Sequence, residues 1–253
     1  MKNNLTYKFG GIELSLITLT EAADNILNPV DNGSHHVHLV AASTFYGIEK
    51  NMLVQDSLKS GTVLCDSKPL STWITFIFQK CEQIRGVDLL REVLKKSDKR
   101  TGHFFLGTTI SNLEKLKTSV ESQFPQIRFS GFLAPPFITP SPEVLRGWAN
   151  EINQSGADLV WLSLGSPKQD IVAAELSKFC DAKIIAIGAA LDFISGSKAE
   201  APAFIQNLHL EWLFRLLHEP KRLWKRYSIG NVFFLMLVVK DLINKLKASV
   251  NRV

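Results

Sequence analysis

The sequence predicts a doubly wound α/β fold, a mostly parallel sheet with helices on both faces, followed by a helical appendage. Three observations carry this. Six short β-rich runs are apolar from end to end rather than alternating, the pattern of strands buried on both faces of a parallel sheet. Segments with helical spacing lie between them, as strand–helix–strand units require. From Pro202 onward no β-rich run bounded by turns occurs, and the pattern is helical to the end.

Taken in order, "YKFGGIELSLIT" (7–18) reads as a small hairpin around Gly10 and Gly11, leading to a helix from about Thr20. The strands follow as "VHLVAAS" (37–43), "GTVLCDS" (61–67), "GHFFLGT" (102–108), "IRFSG" (127–131), "DLVWLSLGS" (158–166) and "KIIAIGAA" (183–190). The clearest helices are 89–99, 111–124, 141–156 and 169–180. The third opens with Ser141 as N-cap and Pro142 in the first turn. We divide the chain into an α/β domain (1–201) and a basic, amphipathic helical appendage (202–253), broken at Pro220 and near Gly230.

Composition narrows the class. A chain of 253 residues with 45% hydrophobic and 21% charged residues can bury a full core. Its three cysteines, Cys65, Cys81 and Cys180, are odd in number and far apart, which suits buried thiols in a reducing compartment. The N-terminal stretch has no apolar signal region, and no run reaches the roughly 18 to 20 apolar residues that span a bilayer. The net charge of +5 is unevenly placed: residues 211–253 hold nine Lys/Arg and three Asp/Glu, leaving the first 210 residues at −1. A basic tail points to an anionic partner. Nucleic acid fits poorly, because the body is not basic and no binding module is present.

In an open parallel sheet, ligands sit where strand ends meet the following helices. Those ends carry Ser43 and Thr44, Asp66 and Ser67, Gly107 and Thr108, the run Gly165, Ser166, Pro167, Lys168, Gln169, and finally Gly188. Small residues let backbone approach a ligand, and free N–H groups at helix starts suit anions. The turns are therefore read as a nucleotide diphosphate site, although glycines also serve turn geometry alone. GxGxxG, GxxxxGK[ST] and GxSxG are all absent, which weakens dehydrogenase, P-loop and hydrolase readings. Asp66 ends an apolar strand on the same rim. It is either a general base with a raised pKa or the N-cap of the next helix. "HHVH" (35–38) reads as a solvated strand start rather than a zinc site, so no metal is expected.

Three stretches together, "SGADLVWLSLGSPKQD", "IGAALDFISGSKAEAP" and "LHLEWLFRLLHEPKRLWKRY", resemble the WecG/TagA/CpsF glycosyltransferases, over roughly residues 9–228. The resemblance implies a Rossmann-like sheet and an inverting, metal-independent enzyme without a cofactor. It would move one sugar from a UDP-sugar to a polyprenyl-diphosphate-linked saccharide, peripherally on the cytoplasmic face of the bacterial inner membrane, in exopolysaccharide, capsule or wall-polymer synthesis. It implies Asp66 as base and Gly165, Ser166, Pro167, Lys168 and Gln169 as the donor turn. Gly188 and Asp192 become a second nucleotide-contacting stretch, and Arg215, Arg222 and Arg226 the groups on the diphosphate. The chain departs from the family pattern at Ser43, Ser67 and the Gly107–Thr109 turn. These departures point away from N-acetylmannosamine as donor sugar and toward a hexose or uronic acid, and leave a catalytically inactive membrane-surface protein of the same fold as the alternative. In the tail, Trp212, Leu216, Leu223 and Trp224 interleave with basic residues, as in helices at an anionic membrane surface. "VFFLMLVV" (232–239) would dip into lipid. The same apolar blocks would also serve packing on the body or a homo-oligomer.

Overall fold

The computed structural model describes residues 5–28, 34–136, 138–208 and 210–250. The predicted hairpin is present as β1 (Thr6–Phe9) and β2 (Ile12–Ser15), antiparallel through Gly10 and Gly11. Helix α1 (Leu19–Leu27) follows, started by a capping box in which Thr18 and Glu21 bond reciprocally. Strand β3 (His36–Val40), a 3-10 turn (Ala42–Thr44) and the short helices α2 (Phe45–Glu49) and α3 (Met52–Ser60) come next. Then β4 (Thr62–Cys65), α4 (Lys68–Ile77), α5 (Gly86–Lys96), β5 (Gly102–Gly107) and α6 (Ile110–Gln123). The body is completed by β6 (Arg128–Leu133), α7 (Pro142–Gln154), β7 (Leu159–Ser163), α8 (Lys168–Leu176), β8 (Lys183–Ala186) and α9 (Ala190–Ile194).

Strands β3 to β8 form one six-stranded sheet, wholly parallel, in the order β4-β3-β8-β7-β5-β6. Each of the six predicted apolar runs contributes one strand to it. One face packs on α1, α5, α6 and α9, with Leu39, Phe105, Trp161 and Ile185 at the centre. The other is covered by α7 and α8, over Phe104, Leu106, Val160 and Ile184. A third cluster joins the hairpin to α2, α3 and α4 around Phe9, Phe45 and Leu70. In chain order β3 steps outward to β4, whereas β8 is reached from β7. The crevice between the ends of β3 and β8 is thus the switch point where such folds bind ligands.

The C-terminal residues form α10 (Ala203–Asn207), α11 (Glu211–His218) and α12 (Pro220–Val250). The break at Pro220 is where the sequence placed it. The break near Gly230 is not: α12 runs through it for 31 residues, about 46 Å at the α-helical rise. Gly230 is there for contact, since a Cβ on it would lie 2.3 Å from the Ser43 carbonyl oxygen. Only a glycine lets α12 lie this close to the turn after β3. Further along, Phe234 is buried in the hairpin cluster. The Asp241 carboxylate accepts hydrogen bonds from Tyr7 (2.6 Å) and Trp73 (3.0 Å), and that acceptor raises the Tyr7 pKa together with burial. One face of "VFFLMLVV" therefore packs on the body, while Val232, Leu235, Met236 and Val239 are exposed. Among the described residues no helix is long and apolar enough to cross a membrane.

Candidate active site

A cleft of about 430 Å³ opens at the switch point. Its floor comes from the turns after β3, β4, β7 and β8, and its roof from α11 and α12. Ten predicted residues line it: Ser43, Thr44, Asp66, Gly165, Ser166, Gln169, Gly188, Arg215, Arg222 and Arg226.

Asp66 follows directly on β4 and is fixed through its backbone. Its N–H donates to Val40 (2.9 Å), and its carbonyl accepts from the Gln83 amide (3.3 Å). The N-cap position of α4 belongs to Ser67, whose hydroxyl instead accepts the Ala42 N–H at 2.8 Å. The capping role for Asp66 is thereby excluded, and its carboxylate makes no hydrogen bond within the described residues. Burial pushes its pKa up to about 7; Arg215 opposes this, and the Glu211 carboxylate adds to it. Such a group exchanges its proton near neutrality, as a general base must.

Three guanidinium groups from the appendage, those of Arg215, Arg222 and Arg226, line the same cleft. Arg222 pairs with Glu219. Arg215 and Arg226 make no ion pair within the described residues, and Arg215 stacks over Phe193 at 5.9 Å. Burial, together with the charges of Arg215 and Arg222, pulls Arg226 below its usual pKa range. Arg215 and Arg226 are thus crowded cations without a carboxylate partner, an arrangement that favours an anion. Arg85 also lines the cleft and was missed in the sequence. It precedes α5 and is tied to Glu200 (3.0 Å), Asp88 (3.2 Å), Glu211 (3.6 Å) and Gln206. Its only sequence signal was position, since it lies in an ordinary charged stretch.

The turn after β7 is built differently from expectation. The Gly165 and Gly188 N–H groups, proposed for phosphate, both donate to Gln169 Oε1 at 3.1 Å. Gln169 is 2% exposed and staples the β7 and β8 turns together. The Ser166–Pro167 peptide is cis, and the Ser166 hydroxyl donates to Asp170 at 2.7 Å.

Five predicted residues do not line the cleft. Pro167 lies outside it, and the Lys168 ammonium turns away to the Ile138 carbonyl. Gly107 takes φ +134°, and a Cβ there would sit 2.2 Å from the Ser163 carbonyl oxygen. Thr108, at φ +50°, donates to Asp192 at 2.6 Å. Asp192 in turn pairs with Lys198 at 3.2 Å, and Lys198 with Glu219 at 3.0 Å. Thr108 and Asp192 thus reach the cleft only indirectly, through Glu219 and Arg222.

The histidines correct another expectation. His36 and His38 are buried, not a solvated strand start. His36 Nδ1 lies 2.8 Å from His38 Nε2, and His38 Nδ1 lies 3.0 Å from the Asp170 carboxylate. Burial and neighbouring His38 lower the His36 pKa to about 4, so the ring is neutral near pH 7. The partner that explains the pair lies 132 residues away in sequence.

The fold thus sets a carboxylate and an arginine cluster over the switch point of a wholly parallel sheet flanked by helices. Residues 7–248 match the model of the family described as Glycosyl transferase WecG/TagA/CpsF, and the chain belongs to that family. Among similar proteins is an N-acetylglucosaminyldiphosphoundecaprenol N-acetyl-beta-D-mannosaminyltransferase of Bacillus spizizenii, 32% identical over 146 residues, which are 57% of this chain and 54% of the relative. A Bacillus subtilis protein of the same name is 28% identical over 165 residues, 64% of this chain and 62% of the relative. The matched stretch therefore spans little more than half of the first relative and under two thirds of the second.

Proposed function

We propose that the protein is an inverting glycosyltransferase, moving one sugar from a UDP-sugar to a polyprenyl-diphosphate-linked saccharide. The observation that carries this reading is the opposition, in one cleft, of a carboxylate poised near neutral pH and the guanidinium groups of Arg215, Arg222 and Arg226. In the proposed reaction Asp66 takes the proton from the acceptor hydroxyl as its oxygen attacks the anomeric carbon. The bond from that carbon to the diphosphate breaks on the opposite face. The arginines stabilise the charge that develops on the departing diphosphate, and their planar donors suit paired phosphate oxygens.

The relatives' names put N-acetylmannosamine first among the sugars to test, with N-acetylglucosaminyl-diphospho-undecaprenol as acceptor; in this reading it is supplied as UDP-N-acetylmannosamine, ahead of hexose and uronic-acid nucleotides. The basic, apolar face of α12 supports a peripheral position on an anionic membrane surface, where a lipid-linked acceptor is presented. The test is sugar transfer by purified protein to that acceptor. Product formed by the unaltered chain and lost in Asp66→Asn supports the reading. UDP release without a glycosylated lipid, or no turnover with any UDP-sugar, overturns it.

A further inference from the structure

A buried line of hydrogen bonds ends at the cleft and fixes the polarity of one hydroxyl there. Asp170 is 2% exposed, and each of its carboxylate oxygens has one partner: His38 Nδ1 on one side, Ser166 Oγ on the other. A carboxylate only accepts, so His38 Nδ1 and the Ser166 hydroxyl are both donors. Behind it, His36 Nδ1 lies 2.8 Å from His38 Nε2, and one proton bridges the two rings. His36 Nε2 then faces the Ser60 hydroxyl at 3.4 Å. The proton on Ser166 is thereby assigned: it points inward to Asp170, away from the cleft.

What Ser166 presents to a ligand is therefore lone pairs. A phosphate oxygen would be repelled there, while an N–H or O–H group would be bound. Beside it, Gln169 spends its carbonyl oxygen on two backbone N–H groups. The Gly165 and Gly188 N–H groups are thus taken, and Arg215, Arg222 and Arg226 stand on the opposite wall, in α11 and α12.

Resting on the glycosyltransferase reading, we infer that Ser166 is a specificity-determining residue that accepts a hydrogen bond from an uncharged part of the donor, and that Asp170 positions it. The diphosphate lies on the arginine wall, and the nucleoside or the transferred sugar lies over the turn after β7.

Calorimetry with three probes, UDP-N-acetylmannosamine, UDP and inorganic pyrophosphate, tests this. Ser166→Ala should weaken the UDP-sugar about five- to tenfold, the worth of one neutral hydrogen bond, and leave pyrophosphate unchanged. Ser166→Thr should restore affinity. A loss shared by UDP assigns the contact to the nucleoside, and a loss confined to the UDP-sugar assigns it to the sugar. Asp170→Asn supplies a readout that simple loss of packing would not. With its oxygen kept on the His38 Nδ1–H, the asparagine turns its amide N–H to Ser166. The serine proton then swings into the cleft. This variant should lose UDP-sugar affinity as Ser166→Ala does, without losing pyrophosphate affinity, and with thermal unfolding still cooperative. Equal losses for pyrophosphate and UDP-sugar in Ser166→Ala, or no loss for either, overturn the inference alone. Unaltered protein that takes up neither UDP nor the UDP-sugar overturns the glycosyltransferase reading and the inference with it.

Discussion

At the scale of single residues, the cleft turns on one carboxylate and the charges around it. Replacing Asp66 by Asn should cut transfer by about 10²–10⁴-fold, the range for a general base, while UDP still binds; calorimetry beside a transfer assay separates the two. Transfer by the unaltered enzyme should rise with pH through about 7, where the buried acid gives up its proton. The same shift acts on stability. The folded state holds this proton up to about pH 7, and the unfolded chain only to the ordinary aspartate value of 3.8. The contribution of Asp66 to stability is thus full below the unfolded value and is lost as pH rises toward 7. Thermal unfolding at pH 5 and pH 8 should therefore show Asp66→Asn gaining relative stability at the higher pH. Arg215 is the strongest influence holding the Asp66 pKa down. Arg215→Gln should move the acidic limb of the rate profile above 7 and weaken UDP binding together. A limb that stays in place would assign the titration to another group. Asp66 was legible because it ends an apolar strand. The bond from His38 to Asp170 was not, since folding alone joins residues so far apart in the chain.

Elements were legible to the degree that their burial is one-sided or two-sided in a regular way. The strands of the sheet are covered on both faces and so read as unbroken apolar runs. The short helices α2, α3 and α4 were given no bounds in the sequence, because five to ten residues give too little periodicity to stand out. Helix α12 was read as broken at Gly230 because glycine costs a helix interior up to about 1 kcal/mol. Here contact with the Ser43 turn decides instead. Gly230→Val should push α12 off that turn and cost roughly 1–3 kcal/mol by overpacking. It should also reduce UDP affinity, although position 230 itself does not line the cleft. Chemical denaturation and calorimetry on the same variant check both effects. Full UDP affinity in a destabilised variant would show that the turn and the arginines move independently.

For the whole molecule, the uneven charge becomes a matter of shape. The acidic residues pair largely within the body, while α12 carries an exposed stripe through Val232, Leu235, Met236, Val239, Ile243 and Leu246, with Lys240 and Lys247 beside it. Deleting the tail would be a poor test of membrane binding, because Leu223 and Phe234 belong to the core. Substituting Leu235, Met236 and Val239 together by Gln leaves the packed face intact. It should abolish co-sedimentation with anionic lipid vesicles while leaving the unfolding temperature nearly unchanged. The unaltered protein should detach progressively as salt is raised, since screening weakens the lysine contribution. The same helix also bears Arg222 and Arg226, one to three turns before the stripe begins, with Gly230 pressed to the body between them. A stiff lever with a fulcrum has one degree of freedom where two separate parts would have several. Whatever tilts its outer end also resets the spacing of the guanidinium groups from Asp66.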